Sequence, residues 1–196
     1  NKIMEKETLK RIFQFLEEKG EHNAPFLWKF ENDIPLTEGD LNVKGDLDLS
    51  HTEIETLPEG LKVGGDLYLS NSNITSLPEN LKVRGSLNLS GTKIMSLPEG
   101  LKVGGYLILH MCKNITSLPK GLKVGGDLDL AKTNIKSLPE GLEVGGDLDL
   151  RLTDITSLPK GLKVHSNLYI RVLAKYSHGE LREMIKPGFI KGEIYN

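Results

Sequence analysis

The sequence predicts a β-rich solenoid, a parallel stack of about seven 20-residue coils with a helical cap at the N-terminal end and an α+β cap at the other. Three observations lead there. Ten-residue stretches recur almost unchanged: "LKVGGDLYLS" at 61–70, "LKVGGYLILH" at 101–110, "LKVGGDLDLA" at 122–131 and "LEVGGDLDLR" at 142–151. Within them "DLYL" and "DLDL" alternate polar with Leu, which is the period of a strand. Pro58, Pro78, Pro98, Pro119, Pro139 and Pro159 then recur at the same point, where each would end a helix and cannot donate to a sheet.

The first 33 residues form the N-terminal cap region. In "MEKETLKRIFQFLEEKG" the residues Leu9, Ile12, Phe13 and Leu16 have helical spacing and Gly20 is a stop. This amphipathic helix leads through "APFLWKF" to the first coil. Stacked coils expose an apolar end, so a cap is expected there.

The solenoid covers residues 34–173, with coils starting at Leu41, Leu61, Leu81, Leu101, Leu122, Leu142 and Leu162. The fourth carries one extra residue, in "HMCKN". This extra residue is expected to bulge outward and to leave Cys112 or Met111 near the surface. A period of this size means units too small to bury their own apolar side. In the second coil the inward set is Leu61, Val63, Leu67, Leu69, Ile74 and Leu77. Leu67, Leu87, Leu107, Leu128 and Leu148 form one inward column.

Each Pro marks a corner, completed by a Gly two residues later in most coils. The second glycine of the "GG" pair (Gly45, Gly65, Gly85, Gly105, Gly126 and Gly146) holds in six coils, so it needs a positive φ or leaves no room for Cβ. The first gives way to Lys44, Arg84 and His165 and is expected to need neither. Thr52, Ser72, Thr92, Thr133 and Thr153 share a column after the strand. Hydroxyls there are expected to bridge successive coils and supply peptide groups with partners.

The C-terminal cap, 174–196, holds "SHGELREMIKPG", with Ser177 and Glu180 at capping-box spacing and Pro187–Gly188 as a stop. "FIKGEIY" follows as a closing strand.

With "LPxxL" and a following "LxL", residues 34–173 resemble the LPX-type leucine-rich repeats of bacterial effector proteins, of bacterial or phage origin. The resemblance implies a curved leucine-rich-repeat solenoid with one strand per coil and a concave protein-binding face, and a role such as inhibition of a host factor. Two departures stand out. Gly64, Gly104, Gly125 and Gly145 replace the usual Leu before the strand, and Thr or Ser replaces the usual ladder Asn. Both leave open a closed parallel β-helix with "LKV" as a second strand.

Bulk composition narrows the function. Hydrophobic residues make up 38% and aromatics 6%, so the core is aliphatic. A net charge of −2 argues against nucleic-acid or membrane partners. One cysteine excludes an internal disulfide framework and fits a reducing compartment. No run is as long as a membrane span, and the opening "NKIMEKETLK" lacks the pattern of a secretion signal. A cytoplasmic location is expected, the host-cell cytosol if the protein is phage-encoded.

No nucleophile–base constellation is visible, the five His fall in four repeat contexts, and no cofactor or metal is implied. Some effectors with these repeats continue into a ubiquitin-ligase domain with a catalytic cysteine, for which the roughly twenty residues after the array leave no room. The protein is therefore read as non-catalytic. "VGGDLDL" lacks the third Gly of a calcium-binding nonapeptide, and its Gly-Gly is not followed by the Lys-Ser/Thr of a phosphate cradle.

The informative positions break the repeat. One outward column reads Asp46, Asp66, Ser86, Tyr106, Asp127, Asp147, Asn167; the next reads Asp48, Tyr68, Asn88, Ile108, Asp129, Asp149, Tyr169. Asp127, Asp129, Asp147 and Asp149 crowd carboxylates onto neighbouring strands, where like charges repel. Tyr68, Tyr106 and Ile108 put apolar bulk at mid-face. An apolar centre with a charged rim is the composition of a binding patch. These seven residues are the candidate site, and the expected partner is another protein with a basic surface. The Asp cluster could alternatively hold a calcium ion. The lysines at 62, 82, 102, 123 and 163, interrupted by Glu143, read as a solvated face. Two other function classes stay open: an oligomer-forming structural or virion component, and a glycan-binding β-helix.

Overall fold

The computed structural model describes residues 24–31, 35–171 and 175–195, together with Thr8 and Arg11. The chain winds into a parallel β-solenoid with two eight-stranded sheets. Each coil contributes one two-residue strand to each sheet, Lys62–Val63 and Leu67–Tyr68 in the second coil. The coil therefore has two strands where the resemblance implied one, with "LKV" forming the second sheet around the glycine corner. We call the sheet built on "LKV" the lysine sheet and the one built on "LxL" the aspartate sheet.

Register is in step throughout: Leu67 pairs with Leu87, Leu87 with Leu107, Leu107 with Leu128 and Leu128 with Leu148. All five are fully buried, as the inward column predicts. The valines of the lysine sheet and the Ile and Leu of the third side close the same core. That third side has no strands, but Thr75 N–H donates to Glu55 O and Met95 N–H to Thr75 O, both at 3.1 Å.

The glycine pair is tighter than the sequence suggests. An ideal Cβ at Gly104 would lie 1.9 Å from Arg84 O, and at Gly125 and Gly145 it would lie 2.0 Å from the carbonyl one coil back. The first glycine is thus also pressed against the preceding coil, contrary to the expectation that it needs nothing. The second glycine has its own reason, given below.

The hydroxyl column does not bridge coils. Thr52, Ser72, Thr92, Thr133 and Thr153 each donate at 2.7 Å to the carbonyl three residues back in their own coil. The four-residue turn that each closes recurs in a sixth coil, where it ends at Cys112, and the third residue of all six has positive φ: His51, Asn71, Gly91, Met111, Lys132 and Leu152, at 55–69°.

Cys112 is buried, not superficial. The extra residue of the fourth coil falls after it, so Met111 takes the exposed positive-φ position and Cys112 joins the hydroxyl column. Its thiol donates to Leu89 O at 2.9 Å and lies 3.5 Å from Thr92 Oγ1.

At the N-terminal end, helix α1 (Ala24–Glu31) is formed by the stretch expected only to lead into the first coil. Phe26 is buried and stacks on Phe30, with centroids 5.5 Å apart. Lys29 Nζ meets Asp40 Oδ2 at 2.6 Å and ties the helix to the first coil. The helix expected over 4–20 lies outside the described residues except for Thr8 and Arg11, which are helical. None of the described helices is long and apolar enough to cross a membrane.

At the other end Ser177 and Glu180 form the expected capping box on helix α2 (His178–Met184). "FIKGEIY" yields two strands and not one: Phe189–Ile190 extends the lysine sheet and Ile194–Tyr195 the aspartate sheet. The cap is an eighth coil with a helix on its third side, Leu181 and Ile185 reaching the core.

Candidate partner-binding face

The outward surface of the aspartate sheet is built by a bond that crosses coils. Asp46 Oδ1 accepts the Asp66 N–H at 2.8 Å, and Asp66 Oδ1 accepts the Ser86 N–H at 2.6 Å. Ser86 Oγ accepts from Tyr106 N–H, Asp127 Oδ1 from Asp147, Asp147 Oδ1 from Asn167 and Asn167 Oδ1 from Glu193, all at 2.8–3.0 Å. Each acceptor fills space the next coil leaves open. A Cβ at Gly65 would sit 2.0 Å from Asp46 Oδ1, and one at Gly146 the same distance from Asp127 Oδ1. Gly45, in the first coil, meets nothing within 4 Å. The second glycine is kept for this ladder, and its φ is not positive.

Tyr106 interrupts the ladder. A phenol ring cannot accept the next coil's N–H; instead it lies over Gly126, where a Cβ would come 2.4 Å from its Cδ1. Its residue exposure is 51%. Ile108, two residues on, lies on the strand itself, half-buried and paired with Asn88 and Asp129. Tyr68 is two coils away and donates its hydroxyl to Asp66 Oδ2 at 3.0 Å.

In the second column the side chain caps its own turn. Asp48, Asn88, Asp129 and Asp149 each accept the N–H two residues on, at 2.8–3.0 Å. This locks their rotamers and leaves the second carboxylate oxygen, or the amide nitrogen in Asn88, outward.

The four crowded carboxylates are therefore not bare. Asp127 and Asp147 serve the ladder, Asp149 Oδ2 meets Arg151 Nη2 at 2.5 Å, and Asp129 Oδ2 lies 3.6 Å from His110 Nδ1. Burial pushes the Asp129 carboxyl above its usual range, and the charge of Asp149 pushes the same way against the Ala131 N–H, His110 and Arg151. Asp147 goes the other way: burial would raise it, but hydrogen bonds from Ser166, Asn167 and Tyr169 hold it low. Among the described residues no group of three His, Cys, Asp or Glu converges to hold a metal ion.

Arg151, His110 and Tyr195 also belong to this face. Arg151 lies 5.4 Å from the Tyr169 ring centroid, and Tyr169 stacks on Tyr195 at 4.9 Å. The signal for the first two was present: their column reads Ser50, Ser70, Ser90 and then breaks to His110, Ala131 and Arg151.

Comparison with known protein families, curated proteins and solved structures found no match to this chain.

Proposed function

We propose that the protein is a non-catalytic binding scaffold whose aspartate face engages the basic surface of another protein. Tyr106 carries this reading. The fold at that position favours an Asp, Ser or Asn that accepts the next coil's N–H, and a tyrosine forgoes that bond to present an exposed ring. Aromatic anchors ringed by charge are where interfaces concentrate their energy. Asp127, Asp129, Asp147 and Asp149 stand beside it with fixed rotamers, so little side-chain entropy is lost when cations arrive.

The test is capture from a native extract by immobilised wild-type protein beside three variants. Tyr106→Ala and the pair Asp127→Asn with Asp149→Asn should each lose the partner; Lys123→Gln, on the opposite sheet, should retain it. A partner held equally by all would place the site elsewhere.

A further inference from the structure

We infer that the chain associates side by side with a second copy of itself, the lysine sheet of one lying on the aspartate sheet of the next. This rests on the reading of the aspartate face as a site for a basic surface, and it names that surface.

The lysine sheet carries Lys62, Lys82, Lys102 and Lys123 in register on successive strands, all exposed. Lys44 and Arg84 stand exposed in the next outward column. Of these six, only Lys123 has an ion pair among the described residues, with Glu143 at 3.5 Å. Like charges in register on neighbouring strands repel. Between the other five lies a groove of about 850 Å³, with Glu79 and Glu99 at its edge. Further along, a second groove of about 690 Å³ runs over Gly104, Gly125 and Gly145, which put no side chain into it, between Lys102, Lys123 and Glu143.

The aspartate sheet is the complement of this surface in charge, relief and period. Both faces belong to the same coils, so both repeat at about 4.8 Å. With two copies antiparallel and centred on the fourth coil, Lys82 and Arg84 face Asp127 and Asp129. Lys62 then faces Asp147 and Asp149, Lys163 faces Asp46 and Asp48, and the exposed Tyr106 meets the floor at Gly104. Between these columns one like-charge meeting remains, Glu143 with Asp66; Arg151, paired with Asp149, stands in the next column of the coil that faces Lys62. A parallel in-register placement is poorer, because it sets Glu143 against Asp147 and Asp149 and leaves Lys82 and Arg84 facing Ser86 and Asn88. The contact is heterologous, so each copy keeps one face of each kind free and assembly is open-ended. Two narrow sheets bury little area, which makes the association weak and sensitive to salt.

Sedimentation velocity on the full chain tests this at about 0.05 M and about 0.5 M salt. Wild type should sediment faster with rising concentration at low salt and as a monomer at high salt. One variant carries Lys82→Glu and Arg84→Glu. The other carries Asn at Asp127, Asp129, Asp147 and Asp149, which keeps the oxygen that accepts each backbone N–H. Each variant alone should associate at least about tenfold more weakly, as for truncated charge pairs. Mixed, they should form pairs that stop at two copies, because each supplies the face the other lacks. If the Glu variant does not fold, Lys82→Gln with Arg84→Gln replaces it. Wild type that stays monomeric at low salt overturns the inference, as does association that either variant leaves unchanged. A foreign partner captured by monomeric wild type and lost by Tyr106→Ala would leave the proposed function standing while this inference fails.

Discussion

The Oδ1 atom of Asp46 occupies the space where a side chain at Gly65 would begin, 2.0 Å from an ideal Cβ, and it is held there by the Asp66 N–H at 2.8 Å. Glycine and acceptor are one device, repeated up the stack. Gly85→Ala should therefore destabilise the protein by about 1–3 kcal/mol, the usual range for overpacking. Gly45→Ala, with nothing within 4 Å, should be neutral or slightly stabilising. Urea unfolding of the two variants checks the contrast, and equal losses would disconnect the glycine from the ladder.

Asp147 and Asp129 should respond to acid with opposite signs. The folded state holds Asp147 low, so its ionised form stabilises above the ordinary carboxylate pKa, and that contribution is lost as pH falls through the folded value. Asp129 is raised, so its contribution is complete below the ordinary pKa and is lost as pH rises through the folded value. Asp147→Asn should be less stable than wild type near neutral pH, and Asp129→Asn more stable. Both differences should shrink in acid. Unfolding at about pH 7 and about pH 3 reads them, and differences of the same sign would refute the assignment.

Cys112 should be inert in the native protein. Burial raises its thiol pKa despite the bonds at Thr92 and Gly91, and no surface reaches it. A thiol reagent should label it only at the rate of unfolding, and Cys112→Thr should fold normally, since Thr holds this position in four other coils. Labelling as fast as a free thiol would place it outside the core.

Leu152 is exposed with φ at 58°, a conformation that costs an ordinary L-residue about 1–2 kcal/mol. Asn stands at the same position as Asn71, so Leu152→Asn should raise stability by about 0.5–1 kcal/mol. A lower melting temperature would show that the leucine packs usefully where it is.

Much of this fold was legible because repetition averages out local ambiguity. The inward Leu column, the corners at Pro and the capping box at Ser177 all stand where periodicity puts them. What stayed hidden was partner choice among polar groups. A hydroxyl column and an Asp column look equally able to bridge coils. Reach decides between them: the buried Thr hydroxyl finds a carbonyl of its own turn, and the carboxylate reaches the next coil across glycine. The positive-φ column was also hard to read, since only Gly91 and Asn71 among its six residues favour the conformation. Of Met111 and Cys112 it is Met111 that reaches the surface, a choice left open because an insertion's position within an irregular coil is not fixed by sequence spacing. Of the candidate site, the two columns were readable in full; Arg151 and His110 break a third column, of serines, and only side-chain geometry ties them to the carboxylates.

If Tyr106 anchors a partner and the carboxylates steer it, the two groups should separate kinetically. Tyr106→Ala should cost about 2 kcal/mol or more of affinity, mainly through faster dissociation. Asp127→Asn with Asp149→Asn should slow association and flatten its dependence on salt. Surface-based binding at two ionic strengths distinguishes these effects. Association unchanged in the Asn pair would remove the carboxylates from the encounter.

Tyr106 stands where the scaffold favours a hydrogen-bond acceptor. Asn167 shows that asparagine serves in this column, accepting the Glu193 N–H at 2.9 Å. The direct measurement is the stability of Tyr106→Asn by urea unfolding, read beside capture of the partner. Restoring the bond to Asp127 N–H should raise stability by about 1 kcal/mol, the usual net value of such a bond, while partner capture is lost. A variant that is less stable than wild type, or that still holds the partner, would contradict the claim that this position is given over to binding.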